Sequence, residues 1–163
     1  MSEAPQPLPE GTVAPDFTLK ATPDQMISLS DYRGRRVILA FYPADWSPTC
    51  NDQLALYQQV LPEFEKYNAQ LLAISVDSLW CHKAYSADRK LTFPLLADFF
   101  PHGSVSQLYG TFNTTTGAAF RSLFVIDESG VVTWSYLAPP GINPGADGIL
   151  SALEALPTMD GSQ

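Results

Sequence analysis

Val37-Ile-Leu-Ala-Phe-Tyr42 runs into Pro43-Ala-Asp-Trp-Ser-Pro-Thr-Cys50, and then into Asp52-Gln-Leu-Ala-Leu-Tyr-Gln-Gln-Val-Leu61. The first stretch is a short apolar run after the turn at Arg33-Gly34-Arg35, as expected of a strand buried on both faces. The third carries Leu54 and Leu61, with Phe64 beyond, on one face of a 3.6-residue period and therefore predicts a helix. Pro62 is expected to kink that helix rather than end it, because Glu63-Phe-Glu-Lys-Tyr67 keeps the pattern. A buried strand feeding a helix through a proline-bearing turn is the repeating unit of an α/β domain.

The same alternation continues along the chain. Gln70-Leu-Leu-Ala-Ile-Ser-Val76 reads as a second buried strand, and Ser78 to Arg89 as a helix starting near Ser78. Phe93 to Ala97 is short and apolar, and Val105 to Tyr109 suits one helical turn. Ser122 to Ile126 and Val131 to Tyr136 are strands around the turn Asp127-Glu-Ser-Gly130, and Asp147 to Leu156 is an amphipathic helix. Strand–helix–strand units require right-handed crossovers between neighbouring parallel strands, and the hairpin adds an antiparallel edge. The expectation is a mixed central sheet with helices on both faces, a thioredoxin-like α/β fold. Pro5, Pro7 and Pro9 forbid a regular helix, so residues 1–12 are expected to form a flexible arm. The domain is then 13–157 and the frayed tail 158–163.

Composition narrows the function. The chain has 163 residues, 45% hydrophobic, enough to bury a core without a staple. Nine basic against seventeen acidic residues give a net charge of −8, which repels phosphate and argues against nucleic acid or an anionic membrane as partner. No apolar run is long enough to span a bilayer, and the opening residues show no basic-then-apolar leader, so a cytoplasmic location is expected. Two cysteines, Cys50 and Cys81, and two histidines, His82 and His102, supply too few soft ligands for a zinc site. A structural metal is therefore not expected.

Cys50 falls in the first turn of its helix, where unpaired N–H groups and the positive end of the dipole favour an anion. Cysteines so placed can have depressed pKa values. Ser47, three residues earlier, can aim its hydroxyl at the sulfur or at a bound oxygen, while Pro43 and Pro48 stiffen the turn. Position alone leaves a second reading open, a buried and inert cysteine at a strand–helix junction.

The spacing Pro43-x-x-x-Ser47-x-x-Cys50 resembles the active-site motif of the peroxiredoxin family, Pro-x-x-x-Thr/Ser-x-x-Cys. Further stretches resemble that family in the same order: Pro15-Asp16-Phe17, Leu29 to Gly34, Val76-Asp77-Ser78, Phe93 to Asp98, Tyr109-Gly110 and Arg121 to Asp127. The likeness runs from about Val13 to Leu156. It implies a thiol-dependent peroxidase in which Cys50 attacks hydrogen peroxide or an organic hydroperoxide and becomes a sulfenic acid, with no haem, flavin or metal required because the cysteine performs the chemistry. Arg121 would then be the charged donor beside thiolate and peroxide, with the Ser47 hydroxyl and the Thr49 and Cys50 N–H groups as further donors. Trp46 would cover the thiol or pack at a subunit contact. Gln53 stands where the family often has Glu, and is expected on the solvated face of the first helical turn or as a neutral supporting residue. Asp45 is expected as a local turn acceptor without a catalytic part.

The resemblance also implies a homodimer or larger homo-oligomer and a thiol reductant, either thioredoxin-like, glutaredoxin-like or of low molecular weight. No cysteine follows in the C-terminal segment or five residues after Cys50, so only Cys81 is left as a resolving cysteine. Its readings remain open: resolution of Cys50, a disulfide to another subunit, or an inert buried residue. Trp80 and His82, which flank Cys81, are expected as packing and helix-start residues; a protonated His82 would lower the Cys81 pKa, but one histidine beside one cysteine is not a dyad. Two other functions stay in view: a thiol–disulfide oxidoreductase, against which the missing Cys-x-x-Cys counts, and a redox-responsive sensor or holdase.

Overall fold

A computed structural model describes residues 6–157. Its elements in chain order are β1 (Thr18–Thr22), β2 (Gln25–Ser28), β3 (Arg36–Phe41), α1 (Pro48–Lys66), β4 (Ala69–Ser75), α2 (Leu79–Arg89), β5 (Leu95–Ala97), α3 (Ser104–Leu108), β6 (Phe112–Asn113), β7 (Ala118–Ala119), β8 (Ser122–Ile126), β9 (Val132–Leu137) and α4 (Asp147–Glu154). Seven strands form one sheet in the order β2-β1-β5-β4-β3-β8-β9, and β6 and β7 form a separate two-stranded ladder. β3, β4 and β5 are parallel neighbours, while β8 and β9 extend the sheet antiparallel beyond β3. The mixed α/β sheet expected from the sequence is what the chain forms.

Every residue of β3 is buried, which is why it reads as an unbroken apolar run. The period of two still sorts its side chains. Ile38 and Ala40 join Leu54, Tyr57 and Phe64 of α1, Tyr85 of α2, and Ile149 and Leu153 of α4 in one core. Val37, Leu39 and Phe41 face the other core, with Phe17, Leu19, Val105 of α3, Tyr109 and Phe124. Helices thus cover both faces, and α1 passes unbroken through Pro62.

Three features depart from the sequence reading. The β1–β2 hairpin was not expected, because its alternating exposed residues leave too few apolar positions to mark a strand. It docks through β1 onto β5. The β6–β7 ladder, two residues a side, is too short to give a period at all. Residues 6–12, within the expected arm, lie along the body: the Gln6 N–H donates to the Gly110 carbonyl at 3.1 Å and Leu8 N–H to Tyr109 at 3.2 Å. The outer parts of the arm and the tail, residues 1–5 and 158–163, lie outside the described residues.

Parallel pairing of β3 with β4 has one consequence for function. The turn from β3 into α1 and the turn from β4 into α2 emerge side by side at the same edge of the sheet, the usual place for an α/β site. Cys50 and Cys81 each sit just past one of these turns.

Candidate active site

Ser47 is the N-cap of α1. Its Oγ accepts the Cys50 N–H at 3.2 Å, and Pro48 occupies the first helical position, where its missing N–H costs nothing. Cys50 is thereby fixed in the first turn with its sulfur fully buried. This cap changes one expectation: the Cys50 N–H is already spent on Ser47, so it is not a free donor for a ligand. The Ser47 hydroxyl proton and the Thr49 N–H remain for that role. Pro43 is half-buried at the start of the turn.

Arg121 enters from the residue before β8 and is 6% exposed. Its carbonyl accepts the Ala138 N–H at 2.9 Å, which pins its backbone to the end of β9. One nitrogen, Nη1, donates both to Cys50 Sγ at 3.1 Å and to Gln53 Oε1 at 2.7 Å. Nε is buried and has no partner among the described residues. A buried, permanently charged donor with a spare N–H therefore faces the sulfur.

Gln53 is fully buried, not on a solvated face. Three residues after Cys50, it turns to the same interior side, and its Nε2 donates to the Tyr57 hydroxyl at 3.0 Å. The Tyr57 hydroxyl donates in turn to the Gly145 carbonyl at 3.1 Å. Burial pushes the Tyr57 phenol far up, so it keeps that proton. Gln53 thus presents oxygen to Arg121 without adding charge. Tyr57, missed by the sequence reading, is signalled by its i,i+4 spacing from Gln53.

Trp46 is 45% exposed and in the left-handed region, φ 72°. Its ring meets the edge of Tyr85 with centroids 4.9 Å apart, and Arg89 lies 6.0 Å from the ring centre. It lies on the outside of the turn, and Tyr85 in turn donates to Asn51 Oδ1 at 2.6 Å.

Cys81 repeats the local geometry of Cys50. Ser78 caps α2, and its Oγ accepts the Cys81 N–H at 3.2 Å. The surroundings are opposite in sign. Cys81 Sγ and carboxylate oxygens of Asp45 and Asp77 lie within 4.8 Å of one another. Burial first, then those two carboxylates, push the Cys81 thiol up to about 11. His82 is a buried packing residue of α2. The ring points inward and places Nδ1 2.7 Å from Asp45 Oδ2. Asp45 is likewise more than a local turn acceptor: it is buried and also accepts the Tyr42 hydroxyl at 2.6 Å. Both cysteines are free thiols.

A thioredoxin-like sheet carrying a buried, arginine-facing cysteine at a helix start defines a class, the thiol peroxidases. The chain belongs to the AhpC/TSA family, which it matches over residues 11–135. Alkyl hydroperoxide reductase E of Mycobacterium tuberculosis is 43% identical over 132 residues, covering 80% of this chain and 86% of that protein. Thioredoxin peroxidase of Echinococcus granulosus is 36% identical over 160 residues, covering 92% and 82%. Among solved structures, peroxidoxin BcpB of M. tuberculosis superposes with a TM-score of 0.83 at 26% identity, covering 91% of this chain and 97% of that one. Among the described residues no helix is long and apolar enough to cross a membrane.

Proposed function

We propose that this thiol-dependent peroxidase uses Cys50 as its nucleophile, with Arg121, Ser47 and Thr49 as donors to the peroxide and Gln53 holding the arginine. The Cys50 thiolate attacks the outer oxygen of a hydroperoxide. An S–O bond forms and the O–O bond breaks, leaving Cys50 sulfenic acid and an alkoxide or hydroxide that takes up a proton. Sulfur loses the two electrons that the peroxide gains. Negative charge grows on the departing oxygen, and the Arg121 Nε–H is an unspent donor beside it. Pro43 and Trp46 shape and cover the turn. The observation that carries this reading is the Arg121 Nη1 to Cys50 Sγ contact of 3.1 Å between two buried groups.

An outside thiol then condenses with the sulfenic acid, releasing water and forming a mixed disulfide, and a second thiol displaces Cys50. The reductant is a thioredoxin-like or glutaredoxin-like protein or a low-molecular-weight thiol, and the working form is a homodimer or larger homo-oligomer in the cytoplasm. Cys81 takes no part as a resolving cysteine, because the thiolate is the attacking species and two carboxylates oppose its formation. Intact mass spectrometry after one equivalent of hydrogen peroxide tests both claims. Cys50→Ser should stay unmodified, and wild type should gain one oxygen, with the same gain in Cys81→Ser. Loss of two hydrogens in wild type, absent in Cys81→Ser, would make Cys81 the resolving residue.

A further inference from the structure

The chemistry above leaves unused the buried pair Asp45–His82. The Asp45 side chain is fully buried and that of His82 is 2% exposed, with 2.7 Å between Oδ2 and Nδ1. The other ring nitrogen, Nε2, lies 3.1 Å from the Leu96 carbonyl oxygen. The Ser75 hydroxyl lies 3.5 Å from the same nitrogen, so both ends of the ring are held by polar partners. Asp45 is also tied at two more points: Tyr42 donates to its Oδ1 at 2.6 Å, and its own N–H donates to Asp77 Oδ2 at 2.8 Å. Asp77 is steadied in turn by the Ser75 hydroxyl at 2.6 Å.

Three of these bonds, with His82, Tyr42 and Asp77, meet on Asp45, a residue of the turn that carries Pro43, Trp46 and Ser47. His82, Asp77 and Ser75 come from the neighbouring β4–α2 segment, so the active-site turn is clamped to a separate part of the chain. Charge-assisted hydrogen bonds with both partners out of water are the strongest non-covalent ties available to such a turn. The Cys50 sulfur is wholly buried, so an outside thiol reaches it only when the turn moves.

We propose that Asp45 and His82 are positioning residues of the reaction: their buried hydrogen bond holds the 43–47 turn in the form in which Cys50 meets Ser47 and Arg121, and sets how readily that turn opens to the reductant. The inference rests on Cys50 being the reacting cysteine. Weakening the pair has opposite consequences for the two halves of the cycle. Peroxide attack, which needs the closed site, slows. Reduction of the sulfenic acid, which needs access, quickens. A role confined to global stability would lower both rates together.

The test measures the two halves separately by stopped flow, using hydrogen peroxide for oxidation and 5-thio-2-nitrobenzoate as the thiol probe for the sulfenic acid. His82→Leu should slow oxidation and quicken the thiol step, each by about tenfold or more, since one partner of a buried pair is removed. Asp45→Asn keeps the shape and replaces the carboxylate by a neutral, weaker acceptor, so it should slow oxidation and quicken the thiol step by about threefold each. If His82→Leu does not fold, Asp45→Asn decides alone. Rates that both fall, or that both stay within about twofold of wild type, overturn the proposal. Cys50→Ser stands apart as a control: if it still consumes peroxide, it is the assignment of the nucleophile that has failed.

Discussion

Replacing Arg121 by alanine separates catalysis from stability with unusual clarity. The substitution deletes the charged donor that contacts the Cys50 sulfur and, in the proposed reaction, serves the peroxide; loss of such a donor typically costs about 2.7–4 kcal/mol in the transition state, or ~10²–10³ in rate. The effect on folding is smaller and two-sided. Gln53 Oε1 loses its 2.7 Å partner in a buried site, which costs about 1–3 kcal/mol. Against that, the fold no longer holds a buried guanidinium whose Nε lacks a partner. The net change should stay within about 2 kcal/mol, and a chain of this length shifts its melting point by roughly 2–4 °C per kcal/mol. The assay is the second-order rate constant for Cys50 oxidation, followed by tryptophan fluorescence on mixing with peroxide, beside a thermal melt. Arg121→Lys should recover part of the rate, because it restores charge but not the planar fork. A rate constant within about fivefold of wild type for Arg121→Ala would refute the reasoning, as would a rate loss accounted for by unfolding at the assay temperature.

Three further outcomes follow from the same geometry. In Cys50→Ser, alkylation of Cys81 by iodoacetamide should be slow at neutral pH and rise steeply between pH 9 and pH 11. Asp77→Asn should speed it at neutral pH, and an unchanged rate would mean that the carboxylate does not hold the thiol protonated. Ser47→Ala should cost about 0.5–2 kcal/mol in urea unfolding by removing the helix cap, whereas Ser47→Thr keeps the hydroxyl and should stay close to wild type. The buried phenols make the fold sensitive to alkali. Tyr85 is pushed up to about 12 by burial and nearby negative charge, and Tyr42 is raised well above its ordinary 10.0. A phenol raised in the folded state contributes stability that is fully present below pH 10 and is lost as pH climbs toward the folded values. Urea midpoints should therefore fall between pH 10 and pH 12, and fall less in Tyr85→Phe.

The sheet was legible in the sequence where strands are buried on both faces, since β3, β4 and β8 announce themselves as apolar runs. The β1–β2 hairpin was not, because half its side chains face solvent. At the site, Cys50, Ser47 and the cap between them are local and can be read from spacing. Arg121 is 71 residues away from Cys50, and only its likeness to a family pattern brought it into view. For Gln53 the sequence leaves a solvated face and a supporting place near the site both open; burial removes the first, because a tyrosine one turn on gives its amide a buried partner. Asp45 and His82 are 37 residues apart and meet only because β3 and β4 are parallel neighbours. Pairings of that kind are made by topology, and no local pattern carries them.

The two cysteines amount to an internal comparison. Each is the third residue of a helix, each N–H is capped at 3.2 Å by a serine three residues upstream, and each follows a turn at the same edge of the sheet. The helix dipole and the cap therefore act alike on both and cannot be what separates them. What differs is the charge that the rest of the fold brings to the sulfur. β8 delivers a guanidinium to Cys50, whereas the β3–α1 turn and the β4–α2 turn deliver two carboxylates to Cys81. Asp45 serves both sides of this division, since the carboxylate that opposes ionisation of Cys81 is also the one that clamps the turn around Cys50. A change that freed Cys81 to react by removing Asp45 would thus loosen the site it was meant to assist. Reactivity in this chain belongs to the surroundings of the thiol, and a motif of serine, two residues and cysteine is only half of it.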